Sequence, residues 1–232
     1  MLIGGFQKLT LIDYPGKIAA TIFVYGCTFR CPFCYNSNLV KNIISSIPES
    51  EILRYLQKRK TFLDAVVIGG GEPTLQEDLL NFCEKLKSLG FFVKIDTNGS
   101  NPKVLNLLVK SKLVDYIAMD IKTVLTKKDY EKATGTRIDI AKIKKSIEIV
   151  KKLKEYEFRT TCVPGIITKK ELVGIAEYLQ KVKANKRYYL QQFQPINTIN
   201  KAFESLTPYT EKELRYFQEV LSPFFEFIGI RI

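Results

Sequence analysis

The sequence predicts an α/β protein, a partial (β/α)6 barrel with a parallel sheet inside and helices outside. Three observations lead there. Short β-branched and aromatic runs alternate with amphipathic stretches about six times along the chain. Glycines and polar residues gather where those runs end, at the face where α/β proteins build their sites. The 232 residues, 46% of them hydrophobic, are enough for one sizeable core, and no low-complexity linker divides them. The expected organisation is a single domain over 1–232, with 1–17 a strand-and-turn extension and 18–232 the barrel core.

Residues 18–25 (IAATIFVY), bounded by Gly16 and Gly26, read as the first buried barrel strand. Pro15 and Gly16 just before it suit the central positions of a type II turn. Ser46 with Glu49 has the pattern of a capping box, and Ile52, Leu53, Tyr55 and Leu56 then suggest a helix. Residues 65–70 (AVVIGG) form the next strand, and Thr74 with Glu77 predicts a capped helix running to Leu89, where Gly90 stops it. Strands follow at 91–96, 116–120, 157–163 and 188–194, with helices at 103–109, 140–154, 170–182 and 211–221. The longest loops are expected at 36–46 and 196–209, and long loops in compact domains often carry function.

Composition removes whole classes of chemistry. Histidine is absent, so imidazole zinc sites, Cys-His dyads and histidine general bases are excluded. The five cysteines are an odd number with three crowded into eight residues, which suits a metal centre in a reducing compartment better than disulfides. No apolar run reaches membrane-spanning length and no signal-peptide order opens the chain, so a cytoplasmic protein is expected. The net charge of +12 comes largely from lysines such as Lys142, Lys144, Lys145, Lys151, Lys152 and Lys154. Their helical spacing around Ile143, Ile147 and Val150 fits a solvated helix face, and no aromatics are interleaved as a nucleic-acid groove would need.

The segment GCTFRCPFCYN sets Cys27, Cys31 and Cys34 in a C-x3-C-x2-C pattern directly after the first barrel strand. Three thiolates hold three irons of a [4Fe-4S] cubane and leave one iron open, whereas electron carriers ligate all four. A structural zinc site normally takes four protein ligands, and no fourth is nearby; buried free thiols are the remaining alternative. At the second strand end, Gly69, Gly70 and Gly71 allow close backbone approach by a ligand, and Glu72 offers a carboxylate to an ammonium group. Arg159 shares a strand face with Thr161 and would point into the barrel, where it needs an anionic partner. Cys83, on an apolar helix stripe, and Cys162, facing away from the barrel interior, read as packing residues.

With Phe33 just before the last cysteine, this spacing resembles the hallmark of the radical S-adenosylmethionine (SAM) superfamily, and the resemblance covers essentially the whole chain. It implies a TIM-like partial barrel in which SAM binds the open iron through its amino and carboxylate groups, with Phe33 near the adenine. Gly69 to Thr74 resembles the family motif that contacts the SAM amino group. The segments Asp96-Thr97-Asn98-Gly99 and Asp120-Ile121-Lys122 resemble those of glycyl-radical activating enzymes. By that analogy Asp96, Lys122 and Gln194 become SAM contacts; Asn98 joins them, and the anionic partner of Arg159 would be the SAM carboxylate or an aspartate. Asp96, Thr97 and Asp120 would ligate a monovalent cation beside the SAM carboxylate.

The stretch from Gly5 to Lys17 is similar to the start of anaerobic ribonucleoside-triphosphate reductase activating proteins, relatives of the pyruvate formate-lyase activating enzymes. The implied activity is reductive cleavage of SAM to a 5′-deoxyadenosyl radical that installs a glycyl radical on such a partner, with a flavodoxin- or ferredoxin-like electron donor. The alternatives are an enzyme acting on a small molecule, like the 7-carboxy-7-deazaguanine synthases, and a non-catalytic iron-sulfur electron carrier. No membrane or nucleic-acid partner is expected.

Overall fold

The computed structural model of the protein describes residues 1–41 and 45–232. Eight strands form one sheet in chain order: β1 (Ile3–Thr10), β2 (Ala19–Val24), β3 (Ala65–Gly70), β4 (Phe92–Thr97), β5 (Tyr116–Asp120), β6 (Glu155–Cys162), β7 (Arg187–Gln192) and β8 (Phe227–Arg231). Strand β1 runs antiparallel to β2, and every later pairing is parallel. Among the described residues no pairing joins β8 back to β1, so the sheet is a partial barrel open along one side. The expected α/β architecture is present with one more parallel strand, because β8 follows the six predicted ones.

A short α1 (Ser37–Val40) follows the cysteine loop at the cavity rim, and the longer helices pack around the sheet: α2 (Glu49–Lys58), α3 (Leu79–Ser88), α4 (Pro102–Lys110), α5 (Lys127–Thr134), α6 (Ile140–Val150), α7 (Lys169–Lys181) and α8 (Glu211–Leu221). None of them is long and apolar enough to cross a membrane. Period-two alternation of the strands separates two cores. Outward residues such as Ile22, Ile68, Ile95, Ile117 and Phe158 join the large helix-facing core. Inward residues form a small second cluster of Ala19, Ala65, Val67, Tyr116 and Ala118 with Tyr14. Most of these inward side chains are small and are filled over by Tyr14, and the cavity opens beyond them toward the C-terminal strand ends.

Several local expectations are corrected. Helix α2 starts at Glu49 behind Pro48, with no side-chain cap, so Ser46 does not cap it. Thr74 sits in a 3-10 turn (Pro73–Leu75) and gives its N–H and hydroxyl to Glu72, so α3 begins only at Leu79. Helix α6 ends at Val150 rather than 154, because the chain turns there to enter β6 at Glu155. The 196–209 segment contains a 3-10 helix (Lys201–Ser205) whose first turn is capped by Asn200. The loop expected at 36–46 holds α1, and its residues 42–44 lie outside the described residues. The turn before β2 forms as read: Lys17 N–H donates to Tyr14 C=O at 3.3 Å, and Gly16 adopts φ +69°.

Candidate active site

The cysteine loop leaves β2 through Gly26, whose φ is +78°, and is fastened from three sides. Its own Arg30 folds back, with Nη1 donating to the carbonyls of Cys27 (2.7 Å) and Phe29 (2.9 Å). Helix α5, a helix the sequence reading missed, accepts the Arg30 N–H on the carbonyl of Thr134 (2.8 Å) and packs Tyr130 edge-on against Phe29. The 196–209 segment donates Ile199 N–H to the Cys34 carbonyl (3.2 Å) and Asn200 N–H to the Pro32 carbonyl (2.9 Å), and sets Phe203 beside Phe33.

All five cysteines are free thiols. Cys27, Cys31 and Cys34 line one cavity of about 760 Å³ at the C-terminal ends of the parallel strands. Burial raises the pKa of all three thiols, Cys31 to about 12, while the Lys122 ammonium opposes that rise. Metal ligation would replace the proton each now keeps. Among the described residues no three Cys, Asp or Glu side chains are drawn together closely enough to hold a metal ion as they stand, so Cys27, Cys31 and Cys34 share a cavity without converging on one point. Cys83 and Cys162 are fully buried in the outer core.

The cavity also brings together Phe33, Gly70, Gly71, Asp96, Asn98, Lys122, Arg159 and Gln194, which are far apart in sequence. The glycines are required by packing. A Cβ on Gly71 would lie 1.9 Å from the Gly26 carbonyl oxygen, and Gly70 has φ +101°. Their backbone is tied to the cysteine loop, Gly71 N–H to Val24 C=O (2.8 Å) and Glu72 N–H to Gly26 C=O (2.7 Å).

Glu72 departs from expectation. Its side chain is fully buried and does not line the cavity. Oε1 accepts from Thr74 N–H (3.1 Å), Thr74 Oγ1 (2.6 Å) and Thr97 Oγ1 (2.7 Å), and Oε2 accepts from Asn98 N–H (2.7 Å). Burial outweighs these bonds and moves its carboxyl above the ordinary value. The carboxylate therefore clamps two strand-end loops together, and it is the backbone of Gly69, Gly70 and Gly71 that faces the cavity. Asn98 extends the clamp to the cysteine loop through Nδ2, 3.0 Å from Thr28 Oγ1 and 3.6 Å from Cys27 Sγ.

Below this rim, inward side chains form one chain of charges. Arg159 is 8% exposed; its Nε donates to Asp120 Oδ1 and its Nη1 to Asp96 Oδ2, both at 2.9 Å. Lys94 Nζ reaches Asp96 Oδ1 at 2.5 Å, and Lys122 Nζ reaches Asp120 Oδ2 at 3.1 Å. Burial alone would raise the Asp120 carboxyl, but Arg159 and then Lys122 pull it down to about 2. The same contest leaves Asp96 below its ordinary value, through Arg159 and Lys94. Deeper still, fully buried Glu157 receives Arg231 Nη1 (2.6 Å) and Nη2 (2.9 Å) and the Tyr116 hydroxyl (2.7 Å).

Arg159 thus faces inward as alternation implied, and its anionic partners are aspartates. The expected cation ligands are already engaged: every carboxylate oxygen of Asp96 and Asp120 accepts from a protein cation, and the Thr97 hydroxyl is turned to Glu72. Sequence reasoning missed Lys94, Glu157 and Arg231. Its available signal was lysine and glutamate at inward positions of strands, spaced by two from Asp96 and Arg159.

The family model of the radical SAM superfamily matches residues 21–179. A Methanocaldococcus jannaschii protein with the provisional name of a glycyl-radical enzyme activating enzyme is 37% identical over 234 residues, covering 99% of this chain and 95% of that one. The pyruvate formate-lyase-activating enzyme of Listeria monocytogenes is 31% identical over 145 residues, 58% of each chain. The crystal structure of Streptococcus suis SuiB bound to S-adenosylmethionine is alike in fold, with a TM-score of 0.70 at 18% identity over 90% of this chain and 49% of that one. A matched family model, a full-length relative, and free thiols gathered at the open end of the barrel agree: the chain belongs to the radical SAM superfamily, whose enzymes use a [4Fe-4S] cluster and S-adenosylmethionine.

Proposed function

We propose that this chain activates a glycyl-radical enzyme, an anaerobic ribonucleoside-triphosphate reductase, by taking a hydrogen atom from a backbone glycine. One observation carries the reading: three undisulfided thiols share a cavity with a ring of fixed charges, inside a sheet open along one side. The similarity to activating enzymes over nearly the full chain and over 58% of it supports the same class.

In this reading Cys27, Cys31 and Cys34 would hold the cluster through their thiolates. The backbone of Gly70 and Gly71 would receive the SAM amino group, and Lys122 and Arg159 its carboxylate. Phe33 would take the adenine, and Asp96, Asn98 and Gln194 would complete the wall. When bound, cluster and SAM together supply one-electron cleavage to methionine and a 5′-deoxyadenosyl radical, which removes a hydrogen atom from the substrate. The protein's own work is placement and exclusion of water: no side chain has to move a proton, which suits a chain without histidine. The open flank admits a peptide loop, and the charge of +12 favours approach of an acidic partner. The electron comes from a flavodoxin- or ferredoxin-like donor, and residues 1–232 act as one domain.

The test is anaerobic. Reconstituted protein, reductant and SAM are mixed with the reductase, and a glycyl-radical doublet is sought by electron paramagnetic resonance. The doublet should appear and should vanish when the target glycine of the partner is replaced by alanine. SAM cleavage without a radical on any glycyl-radical partner, together with accumulation of a small-molecule product, would overturn the proposal.

A further inference from the structure

We infer that this chain carries its own cation: the Lys94 ammonium, with the Arg159 guanidinium, stands where the family resemblance calls for a monovalent metal ion beside Asp96 and Asp120. The expected ligand set does not fit such an ion. Asp96 Oδ1 accepts from Lys94 Nζ (2.5 Å) and Oδ2 from Arg159 Nη1 (2.9 Å). Asp120 Oδ1 accepts from Arg159 Nε (2.9 Å) and Oδ2 from Lys122 Nζ (3.1 Å). The third candidate ligand, Thr97, gives its hydroxyl to Glu72 Oε1 at 2.7 Å and accepts from the Gly99 N–H at 3.1 Å.

Charge points the same way. With Glu157, 3.9 Å from Arg159, and its partner Arg231 included, four cations face three carboxylates, so the group already holds one surplus positive charge, and an alkali ion entering it would meet like charge at close range. That surplus is matched to one incoming carboxylate, which SAM has. Lys94 is also placed as a built-in ion should be. It lies on β4 two residues before Asp96, so both side chains share the inner face. The lysine is 1% exposed, and among the described residues Asp96 is its one hydrogen-bond acceptor. The aspartate side chains remain 26% and 23% exposed to the cavity. An ammonium fixed by its own strand would hold Asp96 in place without drawing on the potassium or sodium of the medium.

The inference rests on the placement of SAM beside Asp96 and Asp120 in the reading above, and the experiment separates the two. Cluster-loaded wild type, Lys94→Ala and Lys94→Met are each held at equal concentrations of potassium, sodium or tetramethylammonium chloride. SAM affinity and the thermal midpoint are measured in each salt. Wild type should be indifferent to the cation. Lys94→Ala removes the ammonium together with its stem and leaves a hole that an alkali ion can enter: in tetramethylammonium its SAM affinity should fall about tenfold or more, the worth of one charge-assisted contact, and potassium or sodium should restore it. Lys94→Met fills the hole without charge, so its loss should not be rescued.

A wild type that loses SAM affinity or thermal stability in tetramethylammonium overturns the inference, and this arm needs no variant to fold. An alanine variant that responds to no cation in either measurement also overturns it. If cations restore the alanine variant's thermal midpoint but leave SAM affinity unmoved, the built-in cation stands and the placement of SAM falls.

Discussion

Replacing Glu72 by alanine removes the acceptor from four donors at once, two on Thr74 and one each on Thr97 and Asn98. Buried donors left without partners cost free energy, so a loss of about 3 kcal/mol or more is expected for Glu72→Ala in chemical denaturation. Because Asn98 also bonds toward Cys27 and Thr28, iron content and SAM affinity should fall together. A variant that binds SAM poorly while its stability and iron content are unchanged would return Glu72 to the role of direct ligand. The sequence separates these roles badly. Cys27, Cys31 and Cys34 are legible because their spacing is itself the chemistry, whereas a glutamate after three glycines has the same letters whether it faces a ligand or a threonine. Lys94 and Glu157 were harder still, because a polar residue inside a strand reads as solvent-facing until the sheet curls around it.

Among the elements, the segment joining β1 to β2 does more than turn. Tyr14 is 5% exposed and packs with Ala19, Ala65, Val67, Tyr116 and Ala118, its ring 5.6 Å from that of Tyr116. It plugs the hollow that those small side chains leave. Tyr14→Ala should therefore cost about 3 kcal/mol, the range for emptying an aromatic core site. The urea midpoint should drop with an unchanged slope; a cost under about 0.5 kcal/mol, typical of surface positions, would show that the plug is dispensable. Proline and glycine announce the turn, but nothing periodic marks the tyrosine beside it as buried. Capping signals show a similar limit. Thr168 with Glu171 and Thr210 with Glu213 form reciprocal capping boxes, yet the same pattern at Thr74 with Glu77 fails, because the Thr74 hydroxyl is claimed by Glu72 from outside its helix.

At the scale of the whole molecule, the question is how an open sheet holds its last strand. The long alternation of strand and helix made β2 to β7 visible in sequence, but β8 is a five-residue edge strand whose one buried residue is Gly229 and whose Phe227 is exposed, too weak a pattern to stand out. Its Arg231 reaches inward past β7, lies 3.8 Å from the Tyr189 ring centroid and grips Glu157 on β6 with two hydrogen bonds. Burial would raise the Glu157 carboxyl, but the Arg231 hydrogen bond and the nearby Arg159 bring it below its ordinary value. A carboxyl with a depressed folded-state pKa contributes stability that is complete above the unfolded-state value of about 4.3 and is lost as pH falls through the folded one. Arg231→Met leaves Glu157 buried with the Tyr116 hydroxyl and Arg159 at 3.9 Å as its remaining partners. Near pH 7 the variant should lose about 2–3 kcal/mol, a little under the usual cost of breaking a buried pair, since Arg231 itself is 30% exposed. As the medium is acidified, Glu157 takes up a proton first in the variant, where burial is no longer opposed by Arg231, and then in the wild type, so the gap between them should narrow. Urea unfolding of both proteins across that range decides the matter: a gap that stays constant from neutral to acid pH would mean that Arg231 stabilises β8 by packing on Tyr189, with no contribution from its charge.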